Sequence, residues 1–214
     1  RALVQTPPGQ DPSWSADSLV LDASKKCTAD EFMARVTTAH AAIVGSLAEV
    51  PSYDEVVPVL LEPGGLAAVR ERCKIRPGMP VHPMLAQPTK GVGEVLTRLE
   101  SVGFTCEYKY DGERAQVHVL GSGTGRAVKI FSRNLEDNTS KYPDVIGAIR
   151  GAAADSVESC IIDSEAVGWD PVQKKLLSFQ VLSHRARKGV AIEDIKIRVC
   201  VFAFDILFLN GRSL

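Results

Sequence analysis

No apolar run in the 214 residues reaches membrane-spanning length, and no segment repeats or falls into low complexity. Cysteine is sparse and scattered: Cys27, Cys73, Cys106, Cys160 and Cys200 form no C-x-x-C pair, and the four histidines are equally dispersed. That excludes the usual zinc-ribbon and thioredoxin-type spacings. An odd number of distant thiols fits reduced, buried cysteines in an intracellular protein. Charge of one sign is also missing. The net charge is -1, so a nucleic-acid partner requires local basic patches rather than a global field. What remains is ordinary globular material, 45% hydrophobic and 24% charged, enough for one to two domains. The chain opens on Arg1 rather than Met, which sets the expectation of a fragment.

In chain order, Thr6 to Pro12 is loop chemistry. Thr28-Ala29-Asp30-Glu31 reads as a capping box. Behind it Phe32, Val36, Ala39, Ile43 and Leu47 recur at helical steps. Ser52-Tyr53-Asp54-Glu55 reads as a second capping box, with Pro58 limiting the helix it opens. Leu66 to Cys73 is a further short helix. Pro77, Pro80, Pro83 and Pro88 then forbid helix and mark a junction between domains, placed at 78/79. Thr89 to Ser101 predicts a helix closed by Gly103. From there the period is mostly two. Strands are expected over 102–110, 114–120, 127–131, 160–169 and 198–209, with weaker candidates at 176–182 and 192–195 and a helix over 142–150. Helices first and strands later read as α+β.

The chain is organised around Glu107-Tyr108-Lys109-Tyr110-Asp111-Gly112-Glu113-Arg114. Asp111-Gly112 is a hairpin-type dipeptide, so Lys109 is expected on a strand at the mouth of a tight turn, rigid and partly dry. A free lysine, with a pKa of about 10.4, is nearly all ammonium at neutral pH, and a nucleophilic one must be desolvated or set near other cations. Taken alone, Lys-Tyr-Asp-Gly is equally the solvated end of a strand.

Lys109, Asp111, Gly112 and Arg114 together resemble the Lys-x-Asp-Gly-x-Arg motif of the covalent nucleotidyltransferases: ATP-dependent DNA ligases, RNA ligases and mRNA capping enzymes. Three further strings resemble ligase motifs in family order: Phe131-Ser132-Arg133-Asn134, Ile162 to Val167, and Phe202 to Leu207. Pro80-Val81-His82-Pro83-Met84-Leu85-Ala86, Cys106 to His118 and Pro58 to Glu62 are similar to the replicative, ligase-I type of eukaryotic enzyme.

The resemblance implies a helical tail of a DNA-binding domain over 1–78, then the first part of an adenylation domain with antiparallel sheets over 79–214. It implies a lysine that attacks the α-phosphate of ATP, forms lysyl-AMP and passes AMP to the 5′-phosphate of a nick. Residue by residue, Lys109 takes the nucleophile's place. Glu107 falls to the adenine edge, Arg114 and Arg133 to phosphate or ribose, and Phe204 to stacking on adenine, with Phe202 left in the core. Glu165 falls to ribose and to Mg²⁺, a hard cation suited to carboxylate. The basic run His184 to Lys188 offers Arg185, Arg187 and Lys188 to a phosphate backbone.

The implied cofactors are ATP and Mg²⁺, and the implied partner is nicked duplex DNA in replication, repair and recombination. The parent enzyme is expected to be a nuclear monomer, with mitochondrial use and a sliding-clamp partner left open. The alternatives are an RNA ligase or mRNA guanylyltransferase, and a non-catalytic DNA-binding fragment. The ligase pattern continues past Leu214, so the piece alone is expected to be inactive.

Overall fold

The computed structural model describes residues 28–62, 65–185, 189 and 192–214, with the backbone of Gln5–Thr6 and Leu21–Asp22. It divides into two compact units, Arg1–His82 and Pro83–Leu214. The division falls in the proline-rich stretch, between His82 and Pro83 rather than at the expected 78/79.

In the first unit, β1 (Gln5–Thr6) pairs in parallel with β2 (Leu21–Asp22). Helix α1 (Ala29–Glu49) begins on the expected capping box. The Glu31 carboxylate accepts from the Thr28 N–H at 2.7 Å, and the Thr28 hydroxyl accepts from the Glu31 N–H at 3.2 Å. Helix α2 (Tyr53–Leu61) departs from expectation twice. The Ser52 side chain makes no cap, and the Glu55 carboxylate, which would complete the box from the other side, pairs with Arg76 at 2.6 Å. Pro58 sits inside the helix rather than ending it. The carbonyl it leaves without a helical donor belongs to exposed Asp54, where water can serve it. Helix α3 (Gly65–Arg72) completes the unit. Val50, Val56, Val69 and Cys73 form one buried cluster; Ala39 and Leu66, with Phe32, Val36 and Ile43 against them, form another.

The second unit opens with α4 (Val92–Arg98), shorter than the expected 89–101. It has no buried residue, and what holds it is local: Glu94 pairs with Arg98 and accepts from the Lys90 N–H at 2.9 Å, so its ends are not helical. Then come β3 (Glu113–Leu120), β4 (Ala127–Phe131), α5 (Pro143–Ala152), β5 (Ser159–Asp170), β6 (Lys175–Leu176), α6 (Phe179–Ser183), β7 (Arg198–Leu209) and β8 (Arg212–Ser213). The sheet runs β4-β3-β5-β7-β8, every pairing antiparallel, with β6 against the end of β5.

Three expected strands are corrected. Residues 102–110 carry no regular secondary structure and join no ladder among the described residues, because β4 and β5 already hold the two edges of β3, their expected hairpin partner across Asp111-Gly112. The 176–182 segment ends as strand at Leu176 and turns helical at Phe179, burying Leu182. Ile192–Asp194 is a 3-10 turn.

Alternation gives the sheet two unlike faces. Ala115, Val117, Val119, Val128, Ile130, Cys160 and Ala166 face Tyr142 and Val145 in the core under α5. Arg126 is almost fully buried and donates to the carbonyls of Ala153, Ala154 and Val157, satisfying groups at and just beyond the C-terminal end of α5. The other face carries Arg114, Gln116, His118, Asp163 and Glu165.

His118 is fully buried, 3.0 Å from the Gln116 Oε1 and edge-on to the Phe131 ring. Burial, helped by the Lys129 charge, lowers its pKa from 6.5 to about 4. The unfolded chain therefore binds the extra proton between those values, and stability falls as pH drops from about 6.5 toward 4. The full effect is roughly 3 kcal/mol. His118→Gln is expected to flatten this part of the stability–pH curve, as measured by urea midpoints across pH 4 to 7.

Candidate active site

The polar face of the sheet is built from register. Arg114 lies opposite Glu165, and Gln116 opposite Asp163, across the β3–β5 ladder. The Arg114 guanidinium clasps the Asp163 carboxylate with Nε and Nη2, the Nε contact at 3.3 Å. Asp163 is nearly buried, and Gln116 Nε2 donates to it at 3.4 Å. A buried carboxylate held by a two-pronged guanidinium is a stiff unit, since rotating either group breaks both bonds. Glu165 is therefore left without an arginine. Its Oε1 accepts from the Gly112 N–H at 3.2 Å, and Oε2 is open among the described residues.

Burial raises the Glu165 pKa above the ordinary carboxylate range. The Gly112 N–H, the Lys109 ammonium and the Arg114 guanidinium oppose that rise, while Asp111 adds to it. Lys109 thus lies within electrostatic reach of a half-buried carboxylate. The lysine itself is exposed on the 102–110 segment, not seated on a strand.

Gly112 explains why the turn can come so close. A Cβ added there would lie 2.3 Å from the Ala166 carbonyl oxygen and 3.0 Å from Val167 Cγ2. Only a residue without a side chain lets the backbone rest on β5 at this point. The aromatic residues come from β7. Phe202 lies opposite Glu165, and the register shift between Asp163 and Ser164 leaves Phe204 as the extra residue of a bulge. A bulge re-aims side chains. Here the Phe204 ring lies under Arg114, whose guanidinium carbon is 5.3 Å from the ring centroid. Phe202 does not retreat into the core; it stacks face to face with Tyr110 at 3.8 Å and 15°.

The structure therefore gathers Arg114, Glu165 and Phe204, with Lys109 beside them. It does not bring in Glu107 or Arg133. Glu107 is exposed on the 102–110 segment, and Arg133 is exposed in the turn after β4 ends at Phe131. Neither makes a hydrogen bond or ion pair among the described residues.

Arg185 requires correction as a phosphate contact. It is buried, paired with Asp144, bonded to the carbonyls of Lys141 and Ile197, and stacked over Tyr142. A basic run read from sequence cannot show that one member points inward. Arg187 and Lys188 lie outside the described residues. Cys106 is exposed rather than buried, because its segment is unpaired.

Sequence reasoning missed Tyr110 as a contact and Asp163 as the holder of Arg114. Tyr110 carries no signal until its partner is known; Asp163 was visible as a same-face neighbour of Glu165. A cleft of about 940 Å³ lies elsewhere, lined by Val145, Ile149, Trp169, Val199 and Val201 among others. Lys109, Arg114 and Glu165 do not line it, and the clustered polar chemistry is on the other face.

No group of three carboxylate, histidine or cysteine side chains poised for a metal occurs among the described residues. Glu165 Oε2 fits a single protein ligand to Mg²⁺, an ion that keeps several waters and rides on substrate phosphates.

Gly112→Ala is expected to cost about 1–3 kcal/mol in urea unfolding, because the clash is with backbone that cannot swing aside. Gly103→Ala, with nothing within 4 Å of the new Cβ, serves as the neutral control.

DNA ligase 1 of Dictyostelium discoideum is 44% identical over 214 residues, all of this chain and 17% of that protein. DNA ligase 1 of Arabidopsis thaliana is 52% identical over 165 residues, 77% of this chain and 20% of that protein. The chain thus spans about a fifth of the length of these curated relatives. Among solved structures, mycobacterial DNA ligase D complexed with ATP and MES overlaps half of this chain and 30% of its own, at 30% identity and a TM-score of 0.37. The assignment rests on sequence: the model of the ATP dependent DNA ligase domain matches residues 83–214, the whole second unit with its lysine turn and polar sheet face, and the chain belongs to that family.

Proposed function

We propose that the protein containing this chain seals nicks in duplex DNA, using ATP and a lysyl-AMP intermediate on Lys109. The observation that carries the reading is the turn that follows Lys109, where Gly112 rests on the β5 backbone and donates to Glu165 at 3.2 Å. The Lys109 amine attacks the α-phosphate, a P–N bond forms, and pyrophosphate leaves with the electrons of the broken P–O bond. The 5′-phosphate of the nick then takes the AMP, and the 3′-hydroxyl displaces it.

Glu165 serves two ends. Its Oε1 is already spent on the Gly112 N–H, which fixes the carboxylate; Oε2 remains for a ribose hydroxyl or for Mg²⁺. Mg²⁺, when bound, supplies charge neutralisation on the phosphates. Arg114 brings only part of its fork to its expected phosphate or ribose role. With Asp163 occupying Nε and Nη2, it offers Nη1 to an anion while its stem and plane lie over Phe204. Phe204, about two-fifths exposed, presents aromatic surface beside that cation for a purine. Arg133 and Glu107 belong to this proposal as phosphate and adenine contacts on the motif match alone. The nuclear location, the roles in replication, repair and recombination, the monomeric state and the sliding-clamp partner rest on the same resemblance.

In the full-length protein, Lys109→Ala is expected to abolish both labelling by α-phosphate-labelled ATP and nick sealing, with DNA binding retained. Sealing that survives this substitution would exclude the covalent mechanism. Preference for labelled GTP over ATP would move the protein toward the capping enzymes.

A further inference from the structure

We infer that Tyr110 and Phe202 are positioning residues for the nucleophile, a role that rests on the function proposed for Lys109. The segment carrying the lysine, 102–111, pairs with no strand. Two holds fix it to the sheet, both just C-terminal to Lys109. At the first, the Gly112 N–H donates to Glu165 and its backbone rests on the Ala166 carbonyl. The second hold is Tyr110, whose ring lies flat on Phe202 with centroids 3.8 Å apart and planes within 15°. Phe202 and Glu165 are direct partners in the β5–β7 register. Both holds therefore end on the same cross-strand pair, and the lysine is the next residue along the chain from the Tyr110 stack.

The stack controls a specific quantity. With Gly112 anchored alone, the backbone dihedrals of Asp111 and Tyr110 remain free, and the Lys109 Cα can swing about the turn. Laying the Tyr110 ring on Phe202 removes that swing without covering the amine, which stays exposed. An exposed lysine becomes useful as a nucleophile when its backbone is held within a fraction of an ångström of the reacting phosphorus, since misplacement by about 1 Å costs on the order of a hundredfold in rate. The tyrosine hydroxyl plays no part in the stack, so the ring rather than the phenol is the functional group. A competing assignment is that Phe202 is the platform for the base and that Tyr110 merely fills its place until a nucleotide arrives. That assignment makes Tyr110 a competitor of ATP, with the opposite kinetic sign.

The test uses the full-length protein and its single-turnover labelling by α-phosphate-labelled ATP, with Lys109→Ala as the blank. Tyr110→Leu and Phe202→Leu are each expected to slow the labelling step by about ten- to a hundredfold. The apparent KM for ATP stays within about twofold, as for an interaction made in the transition state beyond ground-state binding. Tyr110→Phe, which keeps the ring, restores most of the rate. The double variant is expected to be no slower than the worse single one, since both remove one contact. Amide hydrogen exchange over 103–112, read without ATP, is expected to accelerate in Tyr110→Leu and stay near wild type in Tyr110→Phe, with far-ultraviolet circular dichroism checking that both fold.

Wild-type labelling speed in Tyr110→Leu, or a lowered KM for ATP, overturns the assignment. So does unchanged exchange over 103–112. A protein labelled on a residue other than Lys109 would refute the proposed function instead, and the exchange measurement would still decide whether the stack holds the segment.

Discussion

The approach of one loop to one carbonyl oxygen, that of Ala166, sets the geometry of the whole site. Gly112 rests where a Cβ would collide, and that contact brings its N–H to Glu165 and draws the preceding lysine alongside. Each remaining feature can be traced from there. Glu165 is free to serve the loop because Arg114, its partner across the ladder, is bound to Asp163 instead. Asp163 can hold an arginine while nearly buried because the charge is shared with Gln116 as well. The sheet thus separates two carboxylates two residues apart on one strand. One is consumed in fixing a cation; the other is half-dry and available.

The two faces of the sheet divide the labour. Under α5 the side chains are aliphatic apart from a polar group at the margin, where Glu113 accepts from Tyr142 at 2.8 Å and pairs with Lys141. Burial and the neighbouring Glu113 carboxylate push the Tyr142 pKa up, so its hydroxyl stays a donor. Glu113 follows Gly112 directly, so the strand that receives the lysine turn is pinned on its far side by α5 and its preceding turn. The site face is stiffened by hydrogen bonds and the core face by packing, and the lysine turn lies at the end of the sheet where the two meet.

Much of this was legible from sequence, for identifiable reasons. The α1 cap, the α1 periodicity, β3, β4, α5, β5 and β7 carry strong local signals, and the motifs pointed to Arg114, Glu165 and Phe204, which lie together on one face of the sheet. What failed was long-range. The 102–110 segment has the alternation of a strand but cannot form a hairpin with β3, which is taken on both sides. Arg185 reads as surface until Asp144 is placed beside it. Ser52 and Glu55 spell a capping box, yet Arg76 outbids the backbone for the glutamate. Phe202 and Phe204 look equivalent by parity, and only the bulge separates them. In each case a tertiary partner, invisible to a local pattern, decided the outcome.

That bulge also bears on how this segment tolerates changes in length. Phe204 stands where β7 carries one residue more than β5 can match, and Leu207 does so again before Phe208. Deleting Phe204 would leave Ala203 opposite Ser164 and Asp205 opposite Asp163 but take away the ring under Arg114, whereas an added residue would turn the strand beyond it over and exchange site residues for core residues. The Gly121–Gly125 loop, away from this register, can absorb insertions that β7 cannot. Among natural variants, indels should collect in the former and be absent from the latter, even where substitutions are accepted in both.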